Sequence, residues 1–267
     1  MTAARPSPAT IRHFSAAEVA ALLPPAAAVA AVEAALRNGL DPATGVPRSS
    51  VPLAHGSLLL MPAETTAHVG VKLATVAPGN PGRGLPRINA LYVVFDAATL
   101  QPAALIDGTA LTTLRTPAVS FAAVRRFLPG APNVVIVGAG PQATGHLATL
   151  EALTTPSSVT IVTRTGAQPG RSDIATGQSS TGTNRTHVVQ TRAGTPETEA
   201  ALRAADLVVC ATTAREPLFD SALLGERTVM VAVGSHEPDS REVDAAFCAR
   251  ATVIVEDRAT ALRECGD

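Results

Sequence analysis

The stretch 133–146, NVVIVGAGPQATGH, decides the fold. Four β-forming residues, Val134 to Val137, run into Gly138-Ala139-Gly140, and a segment of helical composition follows. Gly138 to Ala143 spell G-x-G-x-x-A, in which each small residue has a task. Gly138 permits the tight turn, Gly140 lets the backbone approach a pyrophosphate, and Ala143 lets the helix pack closely on the strand. The helix N-terminus then presents N–H groups to the anion. A bare motif of this kind also fits an ordinary strand–helix turn. Here it ends a strand, opens a helix and starts a strand–helix series, which is the context a dinucleotide loop requires.

Downstream the pattern repeats. NVVIVGAG, SVTIVTR, HVVQ, DLVVCAT, TVMVAVG and TVIVED read as strands, with helical stretches such as PETEAALRAA between most of them. That alternation predicts an α/β fold with a parallel sheet and crossover helices. The segment 166–186, GAQPGRSDIATGQSSTGTNRT, is rich in Gly, Ser and Thr and predicts a short helix at best, or a mobile loop. The end of the second strand selects the nucleotide, because a carboxylate there favours the free 2′-hydroxyl of NAD. This chain has Thr163-Arg164-Thr165 instead, a guanidinium fork between two hydroxyls, which predicts NADP over NAD, with NAD still possible. The alternative is that Arg164 is a solvated surface residue.

Upstream, residues 15–39 predict two helices split by Pro24-Pro25, with Ser15 and Glu18 as a capping box and Gly39 as the stop. SLLLMPA, HVGVKLATV, ALYVVFDA and AALIDG predict successive strands with antiparallel pairs, and 111–128 predicts a helix ending at Pro129-Gly130. The boundary falls within 117–131, giving a domain 1–117 and a domain 118–267. Of the 267 residues, 46% are hydrophobic, much of that share being alanine, and 16% are charged. Every apolar run is broken well before the roughly 20 residues that span a bilayer, and the N-terminus lacks a basic start followed by an apolar core, so neither a membrane span nor a signal peptide is expected. Net charge of −1 and only 3% aromatics give no case for nucleic acid. Cys210, Cys248 and Cys265 are far apart and odd in number. They point to a reducing cytoplasm rather than a disulfide framework or a zinc site, and no metal is expected.

Several stretches together resemble one known family. VKLATVAPGNPGRGLPRINALYVVFDAATLQPAALIDGTALTTLRTPAVSFAA (71–123), VGAGPQATGH, ATT (211–213) and VGSHEPDSREVD (233–244) are similar to the ornithine cyclodeaminase/mu-crystallin family, from about Arg48 onward. The resemblance implies a Rossmann-type doubly wound parallel sheet plus an α+β substrate and dimerisation domain, with the active site in the cleft and a homodimer as the assembly. It assigns Arg48, Lys72 and Arg115 to the substrate carboxylate. Thr116 is assigned to the cofactor phosphate, and Gly140, Gln142 and Ala143 to the pyrophosphate. Thr163, Arg164 and Thr165 take the adenosine phosphate, and Thr212, Val233 and Ser235 the nicotinamide side.

The residues themselves bear on these assignments. Lys72 is the chain's one lysine and sits amid the apolar VGVKLATV. A buried lysine needs an anion or loses its proton, so Lys72 could bind a carboxylate or relay a proton. The alternative is an edge-strand lysine whose head reaches water. Arg115, among small and apolar neighbours, reads equally as a helix-surface arginine. Two departures stand out. Cyclodeaminases of the family carry an aspartate two residues past the glycine after the fifth strand, where this chain has His236 after Gly234. Histidine can move protons, or pack beside the nicotinamide without chemistry. Glu237 and Asp239 lie nearby. Family members also continue past a segment like ALRECGD and return to the substrate domain, so the resemblance implies that this return segment is absent from the chain.

These readings converge on an NADPH-dependent reductase of a small cyclic imino acid, Δ1-pyrroline-2-carboxylate or Δ1-piperideine-2-carboxylate, with Lys72 and His236 as the proton-handling residues. Ornithine cyclodeamination with bound NAD, and an idle NADPH-binding protein of the crystallin type, are the two alternatives.

Overall fold

Strongly β-branched runs separated by Gly, Pro and Asn build one sheet, and strand–helix alternation builds another. The computed structural model describes residues 11–165, 188–235 and 237–267. It divides into two compact units, Met1–Pro24 with Thr44–Thr112, and Pro25–Ala43 with Thr113–Asp267.

The first unit contains β1 (Arg12–Phe14), α1 (Ala16–Leu22), β2 (Ser49–Leu53), β3 (Gly56–Glu64), β4 (His68–Val76), β5 (Ile88–Asp96) and β6 (Pro102–Asp107). They form a six-stranded sheet in the order β1-β6-β5-β4-β3-β2. β2 to β6 pair antiparallel in sequence order, as short connections dictate, while β1 joins β6 in parallel. The four expected strands are β3 to β6; β1 and β2 are additions, too short or too polar to declare themselves. The capping box forms as expected: Ser15 N donates to the Glu18 carboxylate at 2.9 Å, and Ser15 Oγ accepts from Glu18 N.

The second unit contains α2 (Pro25–Arg37), most of α3 (Gly108–Val124), β7 (Asn133–Val137), α4 (Pro141–Leu153), β8 (Ser158–Thr163), β9 (Val188–Arg192), α5 (Pro196–Arg203), β10 (Leu207–Cys210), β11 (Val229–Ala232), α6 (Ala245–Arg250) and α7 (Arg258–Glu264). Its five strands are all parallel, in the order β11-β10-β7-β8-β9. The order reverses beside β7, so right-handed crossovers put successive helices on opposite faces. Val135, Val137, Val162, Val208 and Cys210 form a core with Leu202 and Ala205 at the end of α5. The alternate residues Val134, Ile136, Ile161 and Val209 are buried as well, so both faces are covered. This is the doubly wound, Rossmann-type sheet.

Three expectations need correction. The division falls inside α3, at Thr112/Thr113, rather than at 117/118. Pro117 lies within this continuous helix and does not end it. Pro25–Ala43, expected in the N-terminal domain, belongs to the Rossmann unit, where the Glu33 carboxylate pairs with Arg125 at 2.5 Å. TVIVED (252–257) is not a strand. Val253, Ile254 and Val255 are exposed, the first at 63%, and β-forming side chains make no strand without a ladder partner and a covering face. The segment 166–186 lies outside the described residues.

Candidate functional site

The residues named for the cofactor gather at the C-terminal edge of the parallel sheet, where the strand order reverses. At Gly138 φ is +121°, and a Cβ there would stand 2.4 Å from the Ala211 carbonyl oxygen. Only glycine meets both conditions. Its N–H donates to Val162 O at 2.9 Å, tying the loop to β8. Gly140 is the N-cap of α4 and offers no side-chain cap; Pro141 follows, and the first turn holds no acidic residue. A Cβ at Gly140 would meet nothing within 4 Å. An uncapped helix N-terminus facing open space behind two glycines fits a pyrophosphate.

Thr116, Gln142 and Ala143 come together through the packing of α3 on α4. A Cβ at Gly145 would lie 2.5 Å from Thr113 O, so the two helices approach at backbone distance. His146 of α4 is fully buried. Its Nδ1 lies 2.7 Å from Gln142 O, its Nε2 3.1 Å from Ser120 Oγ, and that hydroxyl is 3.1 Å from Thr116 O. A neutral imidazole donates from one nitrogen only. With Nδ1–H given to the Gln142 carbonyl, Nε2 can only accept, and it shares the single Ser120 proton with Thr116 O. Burial pushes the His146 pKa down to about 4, so the ring is neutral at ordinary pH. Arg115, on the same stretch of α3, is half-buried rather than a fully exposed helix-surface residue.

Thr163 closes β8, with Arg164 and Thr165 exposed just beyond it. Among the described residues Arg164 makes no ion pair. Among the described residues the strand end therefore carries a cation open to solvent and no carboxylate.

On the other side of β7, a carboxylate that sequence reading missed organises the edge. Glu242 is 1% exposed. Its Oε1 accepts from Thr212 N at 2.7 Å and Thr212 Oγ1 at 2.6 Å, and its Oε2 accepts from Gly234 N at 2.7 Å. One side chain thus joins the loop after β10 to the loop after β11. Burial raises its pKa, with the nearby Asp267 carboxylate adding to the shift, while the three donors oppose it. Val233 N donates to Cys210 O, and Ser235 Oγ donates to Ser240 O at 2.6 Å and accepts from Gly266 N. Thr212, Val233 and Ser235 are therefore held in one network. Glu242 stands in the quoted stretch 233–244, but its spacing does not distinguish a buried glutamate from a surface one.

His236 lies outside the described residues. Its neighbours Glu237 and Asp239 both pair with Arg215 from the loop after β10. They are exposed there, and neither replaces the missing family aspartate.

In the first unit, Lys72 sits on β4, which is interior to the sheet, between β3 and β5. The edge-strand alternative is excluded. Lys72 is half-buried, and its neighbours on the same face of β4, Gly70 and Ala74, are buried. It stands opposite Met61 on β3 and Tyr92 on β5. Carrying the Ser49↔Leu60 register back one residue sets Arg48 opposite Met61. Residues opposite one another across a sheet share a face, so Arg48 and Lys72 belong to one row. Arg48 itself is exposed, just before β2.

Comparison with known proteins agrees with the fold. The chain is 32% identical over 271 residues to a Δ1-pyrroline-2-carboxylate/Δ1-piperideine-2-carboxylate reductase of Azospirillum brasilense, covering 100% of this chain and 82% of that one. It is 31% identical over 261 residues to Δ1-pyrroline-2-carboxylate reductase 2 of Burkholderia ambifaria, covering 96% and 80%. Among solved structures, an archaeal alanine dehydrogenase dimer with bound NAD superposes with a TM-score of 0.79 at 27% identity, covering 95% of this chain and 76% of that one. The sequence profile of the ornithine cyclodeaminase/mu-crystallin family matches residues 12–267, which with the glycine loop and the doubly wound sheet makes this chain a member of that family.

Proposed function

We propose that the chain is an NADPH-dependent reductase that converts a cyclic imino acid, Δ1-pyrroline-2-carboxylate or Δ1-piperideine-2-carboxylate, to L-proline or L-pipecolate. The observation that carries the reading is Lys72: the chain's one lysine, half-buried on an interior strand, in the same row as Arg48. A small anionic substrate fits cations in that position. The names of the Azospirillum and Burkholderia relatives support the substrate class, and the NAD bound to the archaeal dehydrogenase supports the cofactor class.

When bound, the dinucleotide supplies a hydride to C2 of the imine. Gly138, Gly140 and the α4 N-terminus hold its pyrophosphate, and Arg164 with Thr163 and Thr165 takes the 2′-phosphate. Arg48 and Lys72 hold the substrate carboxylate and so set the orientation of C2. The Lys72 ammonium keeps the imine nitrogen protonated, which makes C2 electrophilic. The loop after β11 offers His236 where cyclodeamination needs an aspartate, and Arg215 occupies the adjacent carboxylates.

We also read the six-stranded sheet as the surface that pairs with a second copy. Val51, Leu53 and Leu91 are apolar and exposed on the face of the sheet opposite Lys72, and the archaeal relative is a dimer.

Product analysis separates the readings. Incubation with NADPH and the five-membered imino acid yields L-proline. Release of ammonia from L-ornithine with NAD, and no proline from the imine, would replace this reading with cyclodeamination.

A further inference from the structure

Tyr92 is the chain's one tyrosine, and the mechanism above does not use it. It stands directly opposite Lys72 on the adjacent strand, in unbroken antiparallel register, and therefore on the same face. Its hydroxyl does not point out past the sheet. It folds back over Gly70, two residues before Lys72 on β4. A Cβ at Gly70 would stand 2.1 Å from the Tyr92 hydroxyl oxygen and 2.6 Å from Cζ. Glycine at 70 is thus the condition for the ring to lie where it does. Any side chain there would evict the hydroxyl from the face that carries Lys72.

The ring is half-buried, and among the described residues its hydroxyl has no hydrogen-bond partner. Burial raises the pKa of the phenol above its ordinary value, so it is a neutral donor throughout the working range. A half-buried donor that is open to water and committed to no acceptor among the described residues is available to an acceptor from outside the chain. The group that Lys72 attracts is such an acceptor.

From this geometry we propose that the Tyr92 hydroxyl donates a hydrogen bond to the substrate carboxylate, completing on β5 the grip that Arg48 and Lys72 begin. The inference rests on the imino-acid reading, because it takes the face bearing Lys72 to be the face that meets substrate. The contact discriminates by substrate chemistry. It strengthens binding of a ring that carries a 2-carboxylate and does nothing for the same ring without one.

The test uses Tyr92→Phe, which keeps the ring over Gly70 and removes only the oxygen. Two substrates, Δ1-pyrroline-2-carboxylate and Δ1-pyrroline, are compared at saturating NADPH, and L-proline binding is measured by calorimetry. The expected result is a fall of about tenfold in kcat/KM for the carboxylate substrate, carried by KM, and a similar weakening for L-proline, as the loss of one hydrogen bond to a charged group implies. Δ1-pyrroline turnover and NADPH affinity stay unchanged. Equal losses on both substrates would show a structural role and overturn the proposal, as would no change in L-proline binding. Failure of the unsubstituted chain to bind L-proline and to reduce Δ1-pyrroline-2-carboxylate would overturn the imino-acid reading and this inference with it.

Discussion

Single residues decide what this chain binds. Arg164 follows the second Rossmann strand, is exposed and makes no ion pair among the described residues. Removing a charge-assisted contact to the 2′-phosphate costs about 1.5–3 kcal/mol, or roughly 10- to 100-fold in affinity. Arg164→Ala therefore raises the NADPH dissociation constant by that factor and leaves NADH binding unchanged; equal effects on both nucleotides would remove Arg164 from the 2′-phosphate site. This residue was legible in the sequence because the end of the second strand follows from counting past the glycine loop. Lys72 was legible as an isolated cation in an apolar run, yet its interior position was not, since that depends on β3 and β5 flanking β4. Tyr92 carried no signal at all. Its relation to Lys72 is a matter of hairpin register, which a one-residue slip would destroy.

At the scale of elements, the loops that follow β10 and β11 are joined by the Glu242 carboxylate. Glu242→Gln keeps an oxygen for Thr212 but turns an amide N–H toward Gly234 N–H, leaving a buried donor unmet. The expected cost is about 1–3 kcal/mol in chemical denaturation; unchanged stability would contradict the clasp. The α3–α4 contact has its own signature in pH. His146 has a folded pKa of about 4 against 6.5 for the free side chain. Between those values the unfolded chain binds more protons than the folded one, so stability rises with pH in this window. It is fully present above pH 6.5 and falls by about 3 kcal/mol as pH drops to about 4. His146→Gln flattens that part of the denaturation profile; an unaltered slope would mean that another group titrates. Both devices escaped sequence reading because depth, not spacing, gives Glu242 and His146 their roles. The opposite error occurred at TVIVED, where composition promised a strand that the structure leaves exposed.

Across the whole molecule, the doubly wound sheet was readable from the strand–helix rhythm, and the family from four separated stretches. The assignment of Pro25–Ala43 was not, because the contact between Glu33 and Arg125 joins residues 92 positions apart. The apolar side chains left exposed on the six-stranded sheet belong to this scale too. If the sheet pairs with a second copy, Val51→Asp places a charge in that interface and yields a monomer by light scattering, whereas the unsubstituted chain runs as a dimer. A dimer that survives the substitution would move the interface off β2. The central claim, reduction of a cyclic imine with NADPH, has a direct measurement: the decay of nicotinamide absorbance when NADPH, or separately NADH, meets the five- and six-membered cyclic imino acids. The account predicts consumption that depends on the imino acid, runs faster with NADPH and is abolished by Lys72→Ala. NADPH that binds yet is never consumed with either imino acid would contradict it.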